Sequence, residues 1–165
     1  MTQYTLTDLQ KQRTAHCIKV MEQVRDHHAD RFNMSEWMKH IYDDDCHVCG
    51  TAACFIGWLG LMEEDGWQNL HNMPSYPDTV GQSRFGSNAF AVYMQIDIDT
   101  ASLFAYEDGY PVFQEDDGCD GDVYYMERIT PQMVIDKLNH FLKTGEVINH
   151  RPDTVVDVDN MEPDV

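Results

Sequence analysis

Apolar residues recur at helical spacing near the start of the chain, where Leu9, Cys17, Val20, Met21 and Val24 share one face between Thr7 and about Arg31. Thr7 is placed to cap that helix, and Asp8 lies in its first turn. Ser35 precedes a short apolar patch of Trp37, Met38 and Ile41, which reads as one or two helical turns with Trp37 inside. Gly50 and Thr51 supply the next start signal, and Ala52 to Met62 carries neither charge nor proline, as suits a helix buried on most of its circumference. Glu63, Glu64, Asp65 and Gly66 end it. Within it Ala53, Gly57 and Gly60 lie within about 60° of one another at 100° per residue. Such a small-residue face admits a close backbone, with the first helix as the expected partner, and it stands beside the aromatic Trp58.

Residues 66–87 hold two prolines and three glycines and read as a long irregular connection, packed through Trp67, Leu70, Tyr76 and Phe85. Ser87 or Asn88 can cap a helix through Ala91, Val92 and Met94, and Asp99 or Thr100 another with Leu103 and Phe104 inward. The alternating QIDID between them leaves a short strand open. Thr130 with Pro131 starts a last helix, built on Val134, Leu138, Phe141 and Leu142 and stopped by Gly145. The pattern predicts a mainly α, compact, single-domain fold of about five helices over residues 1–148. An acidic flexible tail over 149–165 follows, because its few apolar residues cannot offset the entropy of ordering it.

At 165 residues the chain can bury about two thirds of its unfolded surface without a metal or disulfide staple. Five cysteines, no basic-apolar leader at the start and no apolar run near 18 residues lead to the expectation of a cytoplasmic protein with reduced thiols. Charge changes the picture more. Acids outnumber bases by 29 to 11, for a net charge of -18. Between His40 and Glu127 seventeen Asp or Glu face a single base, Arg84. Such a field repels nucleic acid and anionic membrane and attracts basic partners.

The stretch DDDCHVCGTAACFIGW, residues 43–58, holds the densest candidate chemistry. Cys46 and Cys49 have the spacing of a zinc knuckle that His40, His47 or Cys54 could complete. The second half of a full motif is missing, and a helix starting near Cys49 would turn Cys54 about 140° away from it. Buried small hydrophobes are the alternative reading for these cysteines. Asp116, Asp120, Gly121, Asp122, Val123 and Glu127 fall on positions 1, 5, 6, 7, 8 and 12 of a calcium loop, but Gly118 occupies a ligand position and Pro131 limits the exit helix. No catalytic histidine, phosphate-binding glycine loop or nucleophile motif is singled out by spacing, so no catalytic residue and no resident cofactor is assigned.

CGTAACFIGW, the later IDIDTASLFAY and ITPQMVIDKLNHFLKTG together resemble a group of small proteins encoded by bacteriophages and prophages. The resemblance covers most of residues 33–146. It implies a mainly helical fold and a viral origin, and it implies no activity. Cys49 and Cys54 match its pattern, whereas Cys46 and the aspartates before it are additions.

These observations lead to the expectation of a phage accessory protein in the host cytoplasm that inhibits or modulates a basic host protein, of the defence or nucleic-acid-binding kind. It would do so by imitating DNA, whose duplex carries one negative charge per about 1.7 Å. The expected contact surface comprises Asp43, Asp44 and Asp45; Glu63, Glu64 and Asp65; Glu107 and Asp108; and Glu115, Asp116, Asp117, Asp120 and Asp122. Tyr106, Tyr110, Tyr124 and Tyr125 interleave with them as rigid contact area. The alternatives are sequestration of a nucleotide signal, for which Arg84 is the available cation, and metal binding. No direct nucleic-acid or membrane binding is expected. The chain should be a monomer, or a weak homodimer through the mixed-charge first helix with Lys11, Arg13, Lys19, Arg25 and Arg31.

Overall fold

A computed structural model describes residues 4–34, 39–42, 48–106, 109–111 and 128–150, the side chains of 39–42 and 48–52 excepted. Five α-helices dominate: α1 (Asp8–His27), α2 (Phe55–Met62), α3 (Gly86–Met94), α4 (Ile98–Ala105) and α5 (Pro131–Thr144). Two small antiparallel sheets accompany them, a pair β1 (Lys39–Tyr42) and β2 (Val48–Ala52), and a meander β3 (Gln68–Leu70), β4 (Met73–Pro77) and β5 (Ser83–Phe85). The mainly α expectation holds, with more sheet than the pattern suggested.

Helix α1 starts as expected. Thr7 accepts from the Gln10 backbone N–H while the Gln10 side chain accepts from the Thr7 N–H at 2.9 Å, a reciprocal cap. Its inward face is rotated from the expected one. Leu9 is 40% exposed and Gln10 is only 5% exposed. Gln10 Nε2 donates to the Met94 and Gln95 carbonyls at 3.0 and 3.2 Å, and so satisfies the C-terminal end of α3, where helical acceptors have no partner of their own. Arg13 is not part of a free face either. It donates to the Tyr93 carbonyl and to Tyr76 Oη at 3.1 Å, with its guanidinium 4.7 Å from the Tyr93 ring centroid.

Helix α2 begins later than the pattern indicated. Residues 48–52 are strand β2, Ala53 bridges to Phe32, and Cys54 is the N-cap, its Sγ accepting from Gly57 N at 3.4 Å. Ile41 lies in β1 rather than in a helical turn; Trp37 lies outside the described residues. Gly60, on the small-residue face expected to meet α1, instead meets the meander: a Cβ there would come within 2.8 Å of Pro74 Cα, so α2 and β4 are packed backbone to backbone, while α2 also contacts α1. Trp58 is buried and stacks on His28, ring centroids 5.1 Å apart.

The meander replaces the irregular connection. Pro74 pairs only toward β3 and Pro77 only toward β5, so each proline sits where β4 has a single paired neighbour. Trp67 and Tyr76 pack inward as expected, with ring centroids 5.6 Å apart, while Phe85 is exposed. QIDID forms no strand: Gln95 is left-handed, and Asp97 caps α4.

One core joins these elements. A chain of edge-to-face rings runs from Phe55 through Phe90, Phe104 and Phe141 to Tyr4, with centroid spacings of 5.3, 5.3, 5.6 and 6.2 Å. Tyr4 also donates to the Asp97 carboxylate, and Tyr4 N donates to the Gly145 carbonyl at 2.8 Å, tying the N-terminal segment to both α4 and α5.

Asp97 carries a pH dependence. The Tyr4 hydroxyl first, then the Thr100 amide at 2.8 Å, hold its pKa at about 2, below the ordinary 3.8. A depressed carboxylate pKa contributes stability that is present above the unfolded value and lost as pH falls through the folded one. Asparagine caps helices about as well as aspartate, so Asp97→Asn isolates the charge. Thermal melts should show the variant less stable at neutral pH and the gap closing between about pH 4 and about pH 2.

Candidate functional site

Glu63, Glu64 and Asp65 follow α2 directly, and all three are exposed. Glu63 and Asp65 have left-handed backbones, the turn that stops the helix. Glu64 lies 3.9 Å from His16 Nδ1, and Asp65 accepts from the Tyr93 hydroxyl at 2.7 Å. Asp97 and Asp99 add two more exposed acids at the start of α4.

Arg84, the single base of the long acidic stretch, is paired within the chain. Its Nη2 and Nε lie 2.8 and 3.0 Å from Asp78 Oδ2, while Asp78 Oδ1 accepts from Val80 and Gln82 amides at 3.0 and 2.8 Å. The Gln82 amide first, and Arg84 after it, hold the Asp78 carboxyl below its usual range. The residue available for a phosphate group is thus occupied by a loop-closing carboxylate.

Tyr110 requires a correction. It is 2% exposed and donates to the Phe104 carbonyl at 2.9 Å, so it is a core residue and not partner contact area. Asp43, Asp44, Asp45, Glu107, Asp108, Glu115, Asp116, Asp117, Asp120, Asp122 and Tyr124 lie outside the described residues, as do Cys46 and His47. Cys49 is on β2, not at a helix start, which removes the angular argument built on that start. Cys54 is buried; burial pushes its thiol up to about 12 despite the Gly57 amide, so the sulfur stays protonated at neutral pH. Among the described residues no group of three His, Cys, Asp or Glu is placed to hold a metal.

The structure adds a site that the motif search passed over. Lys137 belongs to the buried side of α5, between Val134 and Phe141, and is 9% exposed. Its Nζ donates to the Gly109 carbonyl and, at 3.1 Å, to the Ile148 carbonyl, and lies 4.8 Å from the Tyr110 ring centroid. Burial pulls the ammonium down to about 7. Gly109 has to be glycine here: a Cβ would fall on the Leu103 carbonyl and 2.7 Å from Nζ.

A cavity of about 230 Å³ opens beside this lysine. Its apolar wall is Tyr110, Pro111, Met133 and Ile148, and its polar wall is Asp136, Lys137, His140 and His150. Met133, Asp136, Lys137 and His140 recur at the three- and four-residue spacing that places them on one face of α5. His140 Nε2 is buried without a hydrogen-bond partner. The His150 imidazole is held below its usual pKa by burial first and by the Lys137 charge second. The legible signal was a cation at position 137 inside an otherwise apolar helical stripe.

No helix among the described residues is long and apolar enough to cross a membrane. No family model, no curated protein and no solved structure matches the chain.

Proposed function

We propose that this chain is a phage accessory protein that acts by binding, presenting an acidic surface to a basic host protein and inhibiting or retuning it by occupying a nucleic-acid groove. The observation that supports this reading most is the unrelieved sign of the charge. Seventeen acids lie between His40 and Glu127, and the one base among them is already paired with Asp78. Exposed Glu63, Glu64, Asp65, Asp97 and Asp99 are the described part of that surface. Carboxylates at such density attract a basic groove over a distance set by salt screening, and they favour fast encounter. The viral origin and the host target rest on the resemblance of CGTAACFIGW and the later segments. The protein is a monomer or a weak dimer in this reading, since like-charged surfaces oppose self-association.

The test is affinity capture from a bacterial lysate followed by competition. A basic nucleic-acid-binding or defence protein should be retained, and duplex DNA should displace it. The triple variant Glu63→Lys, Glu64→Lys, Asp65→Lys should retain at least about tenfold less, since juxtaposed like charges cost several kcal/mol across an interface. A neutral partner that duplex DNA does not displace contradicts the mimicry.

A further inference from the structure

We propose that the cavity beside Lys137 is a binding site for a small organic anion, an apolar body of a few carbons ending in a carboxylate. This goes beyond the acidic-surface reading, because it concerns a concave site of opposite local sign on the face of α5.

Three independent features converge on that class of ligand. The first is sign. In a chain of net charge -18, three basic side chains, Lys137, His140 and His150, border one hollow. The acid that shares the rim, Asp136, is exposed and accepts from Gln132 Nε2 at 2.8 Å, so it is directed along the outside of the helix. Among the described residues no carboxylate comes within ion-pair distance of Lys137 Nζ; its partners are two neutral carbonyls and aromatic faces. The Lys137 charge acts directly on His150, and an anion between them relieves that repulsion.

The second feature is unmet hydrogen bonding. A buried polar atom without a partner costs about 1–3 kcal/mol; His140 Nε2 is such an atom, and the His140 residue lines the cavity. An ammonium has three N–H donors, and Lys137 spends two on Gly109 and Ile148. The third Lys137 donor and an imidazole N–H of His140 or His150, which line the same hollow, can serve the two oxygens of a carboxylate, and bonds of this charge-assisted kind are the stronger ones.

The third is shape. A volume of about 230 Å³ lies below the roughly 300–1,000 Å³ of sites for drug-sized ligands, which favours a compact molecule over a nucleotide. Tyr110, Pro111, Met133 and Ile148 give the ligand's body an apolar wall. Among the described residues no arginine borders the cavity, so none of them offers the planar fork that recognises a phosphate, while a monovalent carboxylate needs none.

Isothermal titration of the full chain with benzoate tests this, with benzyl alcohol as the neutral isostere and inorganic phosphate as the anion without an apolar body. Benzoate should bind saturably, at least about tenfold more tightly than either, where tenfold corresponds to about 1.4 kcal/mol. His140→Phe keeps a ring of similar size and removes the donor, and it should weaken benzoate by about tenfold with the melting temperature of the free protein little changed. Lys137→Met orphans two carbonyls and risks unfolding, so the decision rests on His140→Phe and, as a second variant, on His150→Gln. Equal binding of benzoate and benzyl alcohol, tighter binding of phosphate, no saturable benzoate binding at millimolar concentration, or an affinity unchanged by both variants overturns the assignment.

Discussion

Replacing Gly145 by alanine should lower stability by about 3 kcal/mol or more, a steep loss for adding one methyl group. Gly145 closes α5 at φ 72°, in the left-handed region, and its N–H donates to the Phe141 carbonyl at 2.8 Å. A side chain there incurs the left-handed penalty of about 1–2 kcal/mol. Its Cβ would also fall on the Tyr4 carbonyl, while the Gly145 carbonyl accepts from Tyr4 N. The atoms the Cβ meets are Tyr4 backbone, and a Cβ has no rotamer to escape by, so relief requires moving the N-terminal segment away from α5 and with it the Tyr4 contacts to Phe141 and Asp97. Gly81 provides the comparison. It has φ 80° with nothing within 4 Å of an added Cβ, so Gly81→Ala isolates the conformational cost and should lose only about 1–2 kcal/mol. Chemical denaturation of both variants separates the two contributions; equal losses at Gly145 and Gly81 would show that Tyr4 does not dock on α5.

Phe90→Ala is expected to cost about 3–5 kcal/mol, which for a chain of this length lowers the melting temperature on the order of 10 °C. Phe90 is fully buried on α3 and stands between Phe55 of α2 and Phe104 of α4, edge to face with both at 5.3 Å. Removing it leaves a cavity where three helices meet, and their backbones are pinned elsewhere: α2 by the Gly60–Pro74 approach, α3 by Gln10, α4 by Asp97 and Tyr4. A site that cannot collapse retains the full cavity cost. Phe85→Ala, five residues earlier on the exposed end of β5, should lose less than about 1 kcal/mol. Calorimetric melts check the pair, and a similar small loss for both would contradict the ring chain as the centre of the core.

The parts of the fold legible in the sequence were those written in local chemistry. Thr7 with Gln10 and Thr130 with Pro131 and Gly145 state the ends of α1 and α5 through side chains a few residues apart. The meander was not legible, because Pro74 and Pro77 are turn signals that here occupy opposite half-paired ends of one strand, a compatibility set by which neighbour each faces. The start of α2 was displaced because cysteine is outside the usual capping residues, yet Cys54 caps through sulfur. Leu9 and Gln10 exchanged roles because the C-terminal carbonyls of α3, more than eighty residues away, needed donors. At the site level, Glu63 to Asp65 were readable as surface from composition, whereas Tyr110 was misplaced, since only the fold brings its hydroxyl to the Phe104 carbonyl. Lys137 was passed over because its neighbours at 109 and 148 are distant in sequence.

The claim that an acidic surface carries the function is tested most directly by the salt dependence of the captured complex. Surface charges lose most of their mutual influence beyond a Debye length, about 10 Å at 0.1 M salt and about 3 Å at 1 M. If carboxylates drive recognition, the dissociation constant measured for the purified pair should rise by at least about tenfold between 50 and 300 mM salt, mainly through a slower association rate. A dissociation constant and an association rate that hold steady across that range would place recognition on apolar contacts and contradict the account.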